Sequence, residues 1–578
     1  LDIARIATDV LIIGSGGAGM RAAIAACDAN AEVCIASKGA FAVSGATVTA
    51  FADVCVDGRS ICEVLGLEGD PTDSKAQFFA DTVKGGNYLN DQRLVEALVE
   101  DAPQRVREML SWGARVTHIY GQPGHSHPRG LKISGRSFAQ ALARQVKARP
   151  IRILEHCLAI GLAKSNGRVA GAYLLNLATG EYLVVEAAAV IIATGGAMNI
   201  FPVTTAPCDL VGDGQMIAYR AGADLVDMEF PMFILGCCTP PAAAGVNFPF
   251  ALILRAGAHL YNREGERYME KWDAVRKEKT TRDLLTVGTT IEILDGRGSP
   301  HGGVWTSLKH LPDNAIDYFF EWYAAWDAKG HGKYGCFDVA DLMPDPGRQA
   351  IEARPSAHFW NGGIKIDAEG GTRIAGLFAA GEASGGVHGS NRLSGNAMTD
   401  IIVWGCRSGR AAAAYAHGAG RTDVDEQEAA EILASVESLL KGGRGETDAD
   451  VVETKLQLQN LAWECVGPVR TRPGLERAIS ESDQVLQALP RIGCRTALRV
   501  YNREWADAIS LRNMAQLIKL TALAAMAREE SRGSHYRRDF PQPDSKWLKN
   551  ILLGEVDGQT SVSHTPVRIT TLTPEVSK

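Results

Sequence analysis

Between Gly376 and Gly405 the sequence GLFAAGEASGGVHGSNRLSGNAMTDIIVWG sets a carboxylate, an arginine and a helix start close together. Glu382 follows the short apolar run Gly376 to Ala380, so a buried strand delivers its carboxylate toward a ligand's hydroxyls. Ser394-Gly395-Asn396-Ala397-Met398 opens an apolar helix, whose free N–H groups and partial positive charge suit an anionic or electron-rich ring. Arg392 stands just before that positive end. An arginine fork there is poised to bind, in bidentate fashion, a carboxylate lying against the same ring.

Such groups need a scaffold. Asp9 to Ile13 is an apolar strand run leading into Gly14-Ser15-Gly16-Gly17-Ala18-Gly19 and then the helical MRAAIAACDA. This is the Rossmann fingerprint in its required context: Gly14 for the turn, Gly16 and Gly17 for close approach to a pyrophosphate, Gly19 for helix–strand packing. The second strand, Glu32 to Ala36, ends in Ser37-Lys38 rather than the acidic residue common at the adenosine ribose. The small residues of the loop from Gly39 to Thr49 either let backbone pass close to a cofactor or form a flexible loop. A strand ending in Thr194-Gly195 and the helix start at Gly212-Asp213-Gly214 add two more segments. Their convergence with Glu382 points to a flavin dinucleotide held by one domain that insertions interrupt.

From about Glu229 to Pro355 prolines, aromatics and irregular polar stretches replace the strand–helix alternation, which reads as an inserted cap. Beyond Gly418 apolar residues at helical spacing predict helices over Asp425 to Lys441, Asp450 to Glu464, Gly474 to Leu489 and Asn502 to Arg532. The Pro-, Ser- and Thr-containing tail from Asp539 is expected to cross another surface in extended form. The net charge of -7 is spread along the chain and argues against nucleic acid or an anionic membrane as partner. No apolar run reaches membrane-span length and no signal-peptide core is visible, so a cytoplasmic protein without its own span is expected. The twelve cysteines lack any Cys-x-x-Cys, and no metal site is predicted.

These motifs resemble the flavoprotein subunits of succinate dehydrogenase and fumarate reductase and their relative L-aspartate oxidase. The resemblance covers nearly the whole chain: GSGGAG at 14–19, DTVKGGNYL at 81–89, GDGQMIAYRAGA at 212–223, DMEF at 227–230, PSAHFWNGGI at 355–364, GLFAAGEASGGVHGSNRL at 376–393, and ESRGSH at 530–535, expected to be helical, with ITTLTP at 569–574. It implies an α/β fold: a Rossmann-like FAD-binding domain (1–229 and 355–417) with an inserted α+β capping domain (230–354), a C-terminal helical domain (418–538) and an extended tail (539–578). It also implies hydride transfer between flavin and a carbon–carbon bond next to a carboxylate. His358 and Arg392 would bind that carboxylate and Arg282 would move the proton. Read without the resemblance, His358 is a structural strand-edge histidine and Arg282-Asp283 a helix-start ion pair.

The departures are equally informative. Respiratory members attach FAD through a histidine in a Ser-His-Thr segment, where this chain has Ser44-Gly45-Ala46-Thr47, so non-covalent FAD is expected. Ile234 stands where the family has a carboxylate-binding histidine, and the run FPFALIL replaces a Thr-Glu pair. A second carboxylate would be buried without a partner, at a cost of several kcal/mol. Phe230, Met232, Phe233, Ile234, Phe248, Phe250 and Leu252 are either pocket lining or cap core. In the Gly124-His125-Ser126-His127 loop, which resembles aspartate oxidase, Gln122 replaces an acidic residue that recognises the amino group. Hydrogen bonding around the flavin is favoured there over a metal.

The expectation is an FAD-dependent oxidoreductase acting on a CH–CH bond of a small organic acid more hydrophobic than fumarate. Its pocket would include Gln122, His125, Phe233, Ile234 and Phe250, and an iron–sulfur subunit would exchange its electrons. Two alternatives stay open: a stand-alone oxidase resembling L-aspartate oxidase, and a flavin-bearing electron-transfer subunit with a decayed site.

Overall fold

The computed structural model describes residues 3–50, 53–326, 350–441 and 450–574. Ala4–Ile13 is central to a seven-stranded sheet, and its residues Val10 to Ile13 are buried, as an apolar run must be when helices cover both faces of a parallel strand. Arg152–Leu154, Val33–Ala36, Ala4–Ile13 and Tyr182–Ile192 pair in parallel in that order; Arg168–Asn176 and Cys157–Ser165 continue the sheet antiparallel. Leu377–Ala379 pairs in parallel with the end of Tyr182–Ile192. The registers set Ile13, Ala36, Ile192 and Ala379 side by side. Four loops distant in sequence therefore leave the sheet at its carboxyl edge, where open α/β sheets bind ligands.

Gly14 turns the chain there with φ +114°, and a Cβ on Gly19 would overlap the Gly14 carbonyl oxygen. Only glycines allow the helix Gly17–Asp28 to start so close to the strand it leaves. The helix Asn396–Ala419 packs along it.

Pro231–Cys237, Ala350–Trp360, Val304–Ser307 and His259–Tyr261 form a separate four-stranded antiparallel sheet. It has its own apolar core, with Leu235, Phe248, Leu252, Leu260 and Leu285. The apolar run before Arg255 folds as a short helix, Phe248–Ala251, and a π-helical turn, Leu252–Ala256. Helix Arg282–Glu292 docks on this sheet, Thr286 Oγ1 donating to the Phe233 carbonyl at 3.1 Å.

The C-terminal helices are Glu426–Lys441, Val451–Val466, Arg472–Ala488 and Arg503–Ala527. The last stops short of the expected Arg532. Arg528 leaves helical conformation because its buried guanidinium is claimed by Glu229 (2.8 Å), Glu530 (2.9 Å) and the carbonyls of Trp547 and Lys549. Glu530 to His535 is thus a non-helical turn, not the expected helix. It braces the glycine-rich loop: Ser534 N and Oγ both donate to the Ser390 carbonyl, at 3.0 and 3.1 Å. Nor is the tail simply extended. Lys549–Val556 and Gln559–Pro566 form a hairpin that joins Leu225–Val226, with Ile551 and Leu553 buried. Asp557-Gly558, both at positive φ, is the turn pair that marks such hairpins. Among the described residues no helix is long and apolar enough to cross a membrane.

Candidate active site

A cavity of about 980 Å³ runs from the Gly14 turn along the carboxyl edge to the cap. At its first end lie Gly14, Gly16, Gly17, Ser37, Lys38, Gly45, Ala46 and Thr47. Thr47 Oγ1 accepts from the Gly17 N–H (2.9 Å), and Ser15 and Ser37 share a hydroxyl hydrogen bond of 2.7 Å. Lys38 Nζ reaches Asp213 Oδ2 at 2.8 Å, and Asp213 also accepts from Asn513 and Ser510 of helix Arg503–Ala527. The C-terminal helices thus fix the far wall of this end. Thr194 and Gly195 complete it, the Thr194 hydroxyl being buried without a hydrogen-bond partner in the protein. Gly19 lies outside the lining and serves packing alone.

In the middle, Glu382 accepts from the Trp360 N–H at 3.0 Å, and Ala397 and Met398 stand at the start of helix Asn396–Ala419. Asn396 turns away, its Nδ2 donating to Thr82 Oγ1 at 3.2 Å.

The far end lies between the sheet and the cap, where Gln122, Ile234, Phe250, Arg282, His358 and Arg392 line one wall system. Arg392 is held by its N–H to Asn361 Oδ1 (3.2 Å) and by Nη1 to the Leu393 carbonyl (3.0 Å). His358 Nδ1 shares a hydrogen bond of 2.8 Å with Thr205 Oγ1. Arg282 begins its helix 5.5 Å from the Phe250 ring centroid. Arg282 Nη1, Arg392 Nε and Gln122 Nε2 are all shielded from solvent without a hydrogen-bond partner in the protein, so three unused N–H groups line one space. Buried polar atoms are normally paired, and such a convergence marks a ligand site.

An FAD binding domain family matches residues 9–398, and a fumarate reductase flavoprotein C-terminal family matches residues 455–578. One chain of the fumarate reductase (CoM/CoB) of Methanothermobacter marburgensis is 35% identical over 94% of this chain and 96% of its own length. A Mycobacterium tuberculosis fumarate reductase flavoprotein subunit is 31% identical over 98% of both. Among solved structures, Escherichia coli quinol fumarate reductase superimposes with TM-score 0.87 at 26% identity over 99% of each chain, and Mycobacterium smegmatis Sdh1 in complex with UQ1 with 0.86 at 28% over 99% and 96%. The chain belongs to the fumarate reductase and succinate dehydrogenase flavoprotein family. This flavoprotein is an FAD-dependent oxidoreductase acting on CH–CH bonds, and it holds FAD non-covalently.

The residues fit that cofactor. The glycine turn and the start of helix Gly17–Asp28 suit the pyrophosphate, Glu382 a sugar hydroxyl, the lone Thr194 hydroxyl a further polar contact, and the start of helix Asn396–Ala419 the flavin ring. In the flavoprotein's cavity, burial raises the Glu382 carboxyl to about 7. Burial lowers Arg282 to about 10 and Arg392 to about 9, and each guanidinium sits among charges that include the other or Asp53.

Two predicted pocket residues lie elsewhere. Phe233 packs edge-on against Phe201 (5.0 Å) and Trp463 (6.1 Å), because the strand Pro231–Cys237 alternates its side chains and sends Phe233 to the main core while Ile234 faces the cavity. His125 sits behind the wall, its Nε2 2.9 Å from the Ser394 carbonyl, and burial pushes its pKa down to about 4. It therefore stays neutral and braces the loop beneath the flavin helix. His127 bonds Asp70 instead (2.9 Å), so the His-x-His pair diverges. Of the aromatic and aliphatic candidates, Phe230, Met232, Phe248 and Leu252 also belong to cores rather than the cavity wall.

The sequence reading missed Asp53, Tyr120, Lys132, Thr205 and Arg255, all in the lining. The signal available was an acidic residue opening the apolar run Asp53 to Val56, next to a lysine in the buried stretch LKI at 131–133.

Proposed function

We propose that this flavoprotein interconverts an α,β-unsaturated acid carrying one carboxylate and a hydrophobic remainder with its saturated counterpart. The observation that carries the reading is the wall facing Arg392, His358 and Arg282: Ile234, Phe250, Ala251, Leu254 and Phe319 are apolar, and Arg255 beyond them is exposed, its guanidinium 4.0 Å from the Tyr120 ring. A second carboxylate would lose its hydration against that wall without a charged partner. An alkyl or aryl group would gain about 25 cal/mol for each Å² it buries there.

Arg392 and His358 hold the carboxylate, the guanidinium through its unused Nε–H. Their positive charge also draws electron density from the adjacent double bond. FAD, when bound, supplies the hydride exchange at that bond. Arg282 moves the proton on the neighbouring carbon. Guanidinium is ordinarily too weak an acid for this, but burial that lowers Arg282 to about 10 makes it a better one and leaves its Nη1–H free to point at substrate. The apolar wall excludes water from the carbanion-like carbon. An iron–sulfur partner subunit exchanges the electrons; this is supported by relatives that are themselves subunits.

Anaerobic titration of the dithionite-reduced holoprotein tests the reading. 3-Phenylpropenoate or a branched 2-alkenoate reoxidises the flavin, whereas fumarate does so poorly. Efficient reoxidation by fumarate alone would reject it. Arg282→Ala should keep the flavin spectrum while turnover falls about 10³-fold or more.

A further inference from the structure

On the reading above, that the far cavity takes an α,β-unsaturated acid, we propose that the side-chain amide of Asn247 accepts a hydrogen bond from a hydroxyl group on that acid's tail. The substrate then carries one neutral O–H donor on an otherwise apolar remainder.

The cap meets the cavity through a single stripe. Asn247, Phe250, Ala251 and Leu254 all line it, at the spacing that sets side chains on one face of a helix. The turn is helical from its first residue, the Ala251 N–H donating to the Asn247 carbonyl at 3.2 Å. Because the Phe250 ring centroid is 5.5 Å from the Arg282 guanidinium, the stripe belongs to the substrate end and not to the dinucleotide end. Asn247 is its polar member.

An asparagine at a helix start ordinarily serves as a cap, its side-chain oxygen accepting from the N–H of the second or third helical residue. Here the second residue is Pro249, which has no N–H. Asn247 also sits at φ -79° and ψ 22° instead of the extended conformation of a cap, and no capping bond forms. Its Oδ1 is therefore shielded from solvent without a hydrogen-bond partner in the protein. Buried amide oxygens are normally paired, so a lone one on a cavity wall is an acceptor kept for a ligand.

The neighbouring groups decide what it accepts. Among the described residues the other unpaired buried polar atoms at this end are the donors Arg282 Nη1, Arg392 Nε and Gln122 Nε2, which suit a carboxylate. Asn247 Oδ1 would repel a carboxylate and calls for an N–H or O–H. An ammonium would be set among the Arg282 and Arg392 charges with no free acid to offset them. Asp53 is held by the Tyr120 hydroxyl and by Lys132 at 3.2 Å, and Asp283 lies outside the lining with Asn391 Nδ2 at 3.5 Å. A neutral hydroxyl meets the acceptor without adding charge. Flanked by Phe250, Ala251 and Leu254, it would bond Asn247 while the rest of the tail packs on apolar surface.

Anaerobic steady-state assays of the holoenzyme with reduced methyl viologen test this on 3-phenylpropenoate, its ring-hydroxylated isomers and the matching methoxy compounds. The wild type should favour one hydroxylated isomer by about tenfold or more in kcat/KM over both the parent acid and its methoxy analogue, which donates electrons to the ring similarly but has no O–H to give. In Asn247→Leu that preference should fall to about one, whereas Asn247→Asp, which keeps an acceptor, should still favour hydroxyl over methoxy. A wild-type preference under about threefold for every isomer, or a preference that survives Asn247→Leu, overturns the assignment. If Asn247→Leu does not fold or loses FAD, the hydroxyl-to-methoxy ratio of the wild type and of Asn247→Asp decides. Turnover of the parent acid with no hydroxyl preference overturns the role of Asn247 alone. Failure of the wild type to turn over any of these acids rejects the substrate reading, and the role of Asn247 with it.

Discussion

The Arg392 guanidinium lies over the Phe359 ring with Cζ 4.4 Å from its centroid, while the Arg392 backbone N–H is tied to Asn361. The stacking fixes the plane of the fork, so a carboxylate meets a preset geometry rather than a mobile chain.

Arg392→Lys therefore keeps the charge but loses both plane and fork. Carboxylate binding should weaken by about 2–3 kcal/mol, some 30- to 150-fold in Kd, with FAD retained. Isothermal titration of the holoprotein with the saturated acid measures it; a change under about threefold would show that the fork does not hold the substrate.

Ile234→His puts a hydrogen-bonding, chargeable group into the apolar wall. Activity on fumarate should rise by about tenfold or more in kcat/KM while activity on a monocarboxylic acid with a bulky tail falls. Steady-state assays with the two acids side by side read this exchange. A parallel loss on both would mean that the wall only packs.

Glu382 links pH to the cofactor. Its carboxyl is at about 7 in the FAD-free fold against an ordinary 4.5, because burial penalises the charge. The folded state then binds more protons than the unfolded state between those values, so this group's contribution to stability falls as pH rises from about 4.5 through about 7. Sugar hydroxyls donate to the ionised form, so FAD affinity should rise as pH climbs through about 7. Thermal midpoints of FAD-free wild type and Glu382→Gln, together with FAD titrations over the same range, give both slopes. The Glu382→Gln protein, with no proton to lose at this position, should show neither.

Phe233→Ala should behave as a core mutation. It removes a ring wedged between Phe201 and Trp463 and should cost about 3–5 kcal/mol in unfolding free energy, with KM for the acid unchanged. Denaturant melts and initial rates separate the two effects; a raised KM without loss of stability would return Phe233 to the pocket.

Much of the cofactor end was legible because its chemistry is local. The Gly14 to Gly19 turn, Ser37-Lys38, Thr194-Gly195 and the strand before Glu382 each sit at the end of an apolar run, and parallel pairing brings such ends to one edge. Arg282 and His358 were named through family resemblance, Arg392 also by its place just before a helix start, and all three line the same cavity. The side of the wall a residue faces was less legible. Phe233 and Ile234 are both apolar neighbours in one strand, and composition does not say which of two alternating positions meets the ligand. The turn at Glu530 to His535 was misjudged because helical propensity does not register Arg528, whose guanidinium is satisfied only off the helix by Glu229, Glu530 and two carbonyls.

By itself the sequence determined the Rossmann start, the interrupted cofactor domain, the loss of a histidine at the Ser44–Thr47 loop and the apolar character of the cap residues. These are properties of short segments, set by side-chain type and backbone freedom. Only the tertiary structure decided which polar atoms end without partners, that Asn513 and Ser510 clasp Asp213, and that Asp53, Tyr120 and Lys132 meet at the cavity wall. Those relationships join residues from separate elements, and a contact across elements exists only once packing has fixed the distance between them.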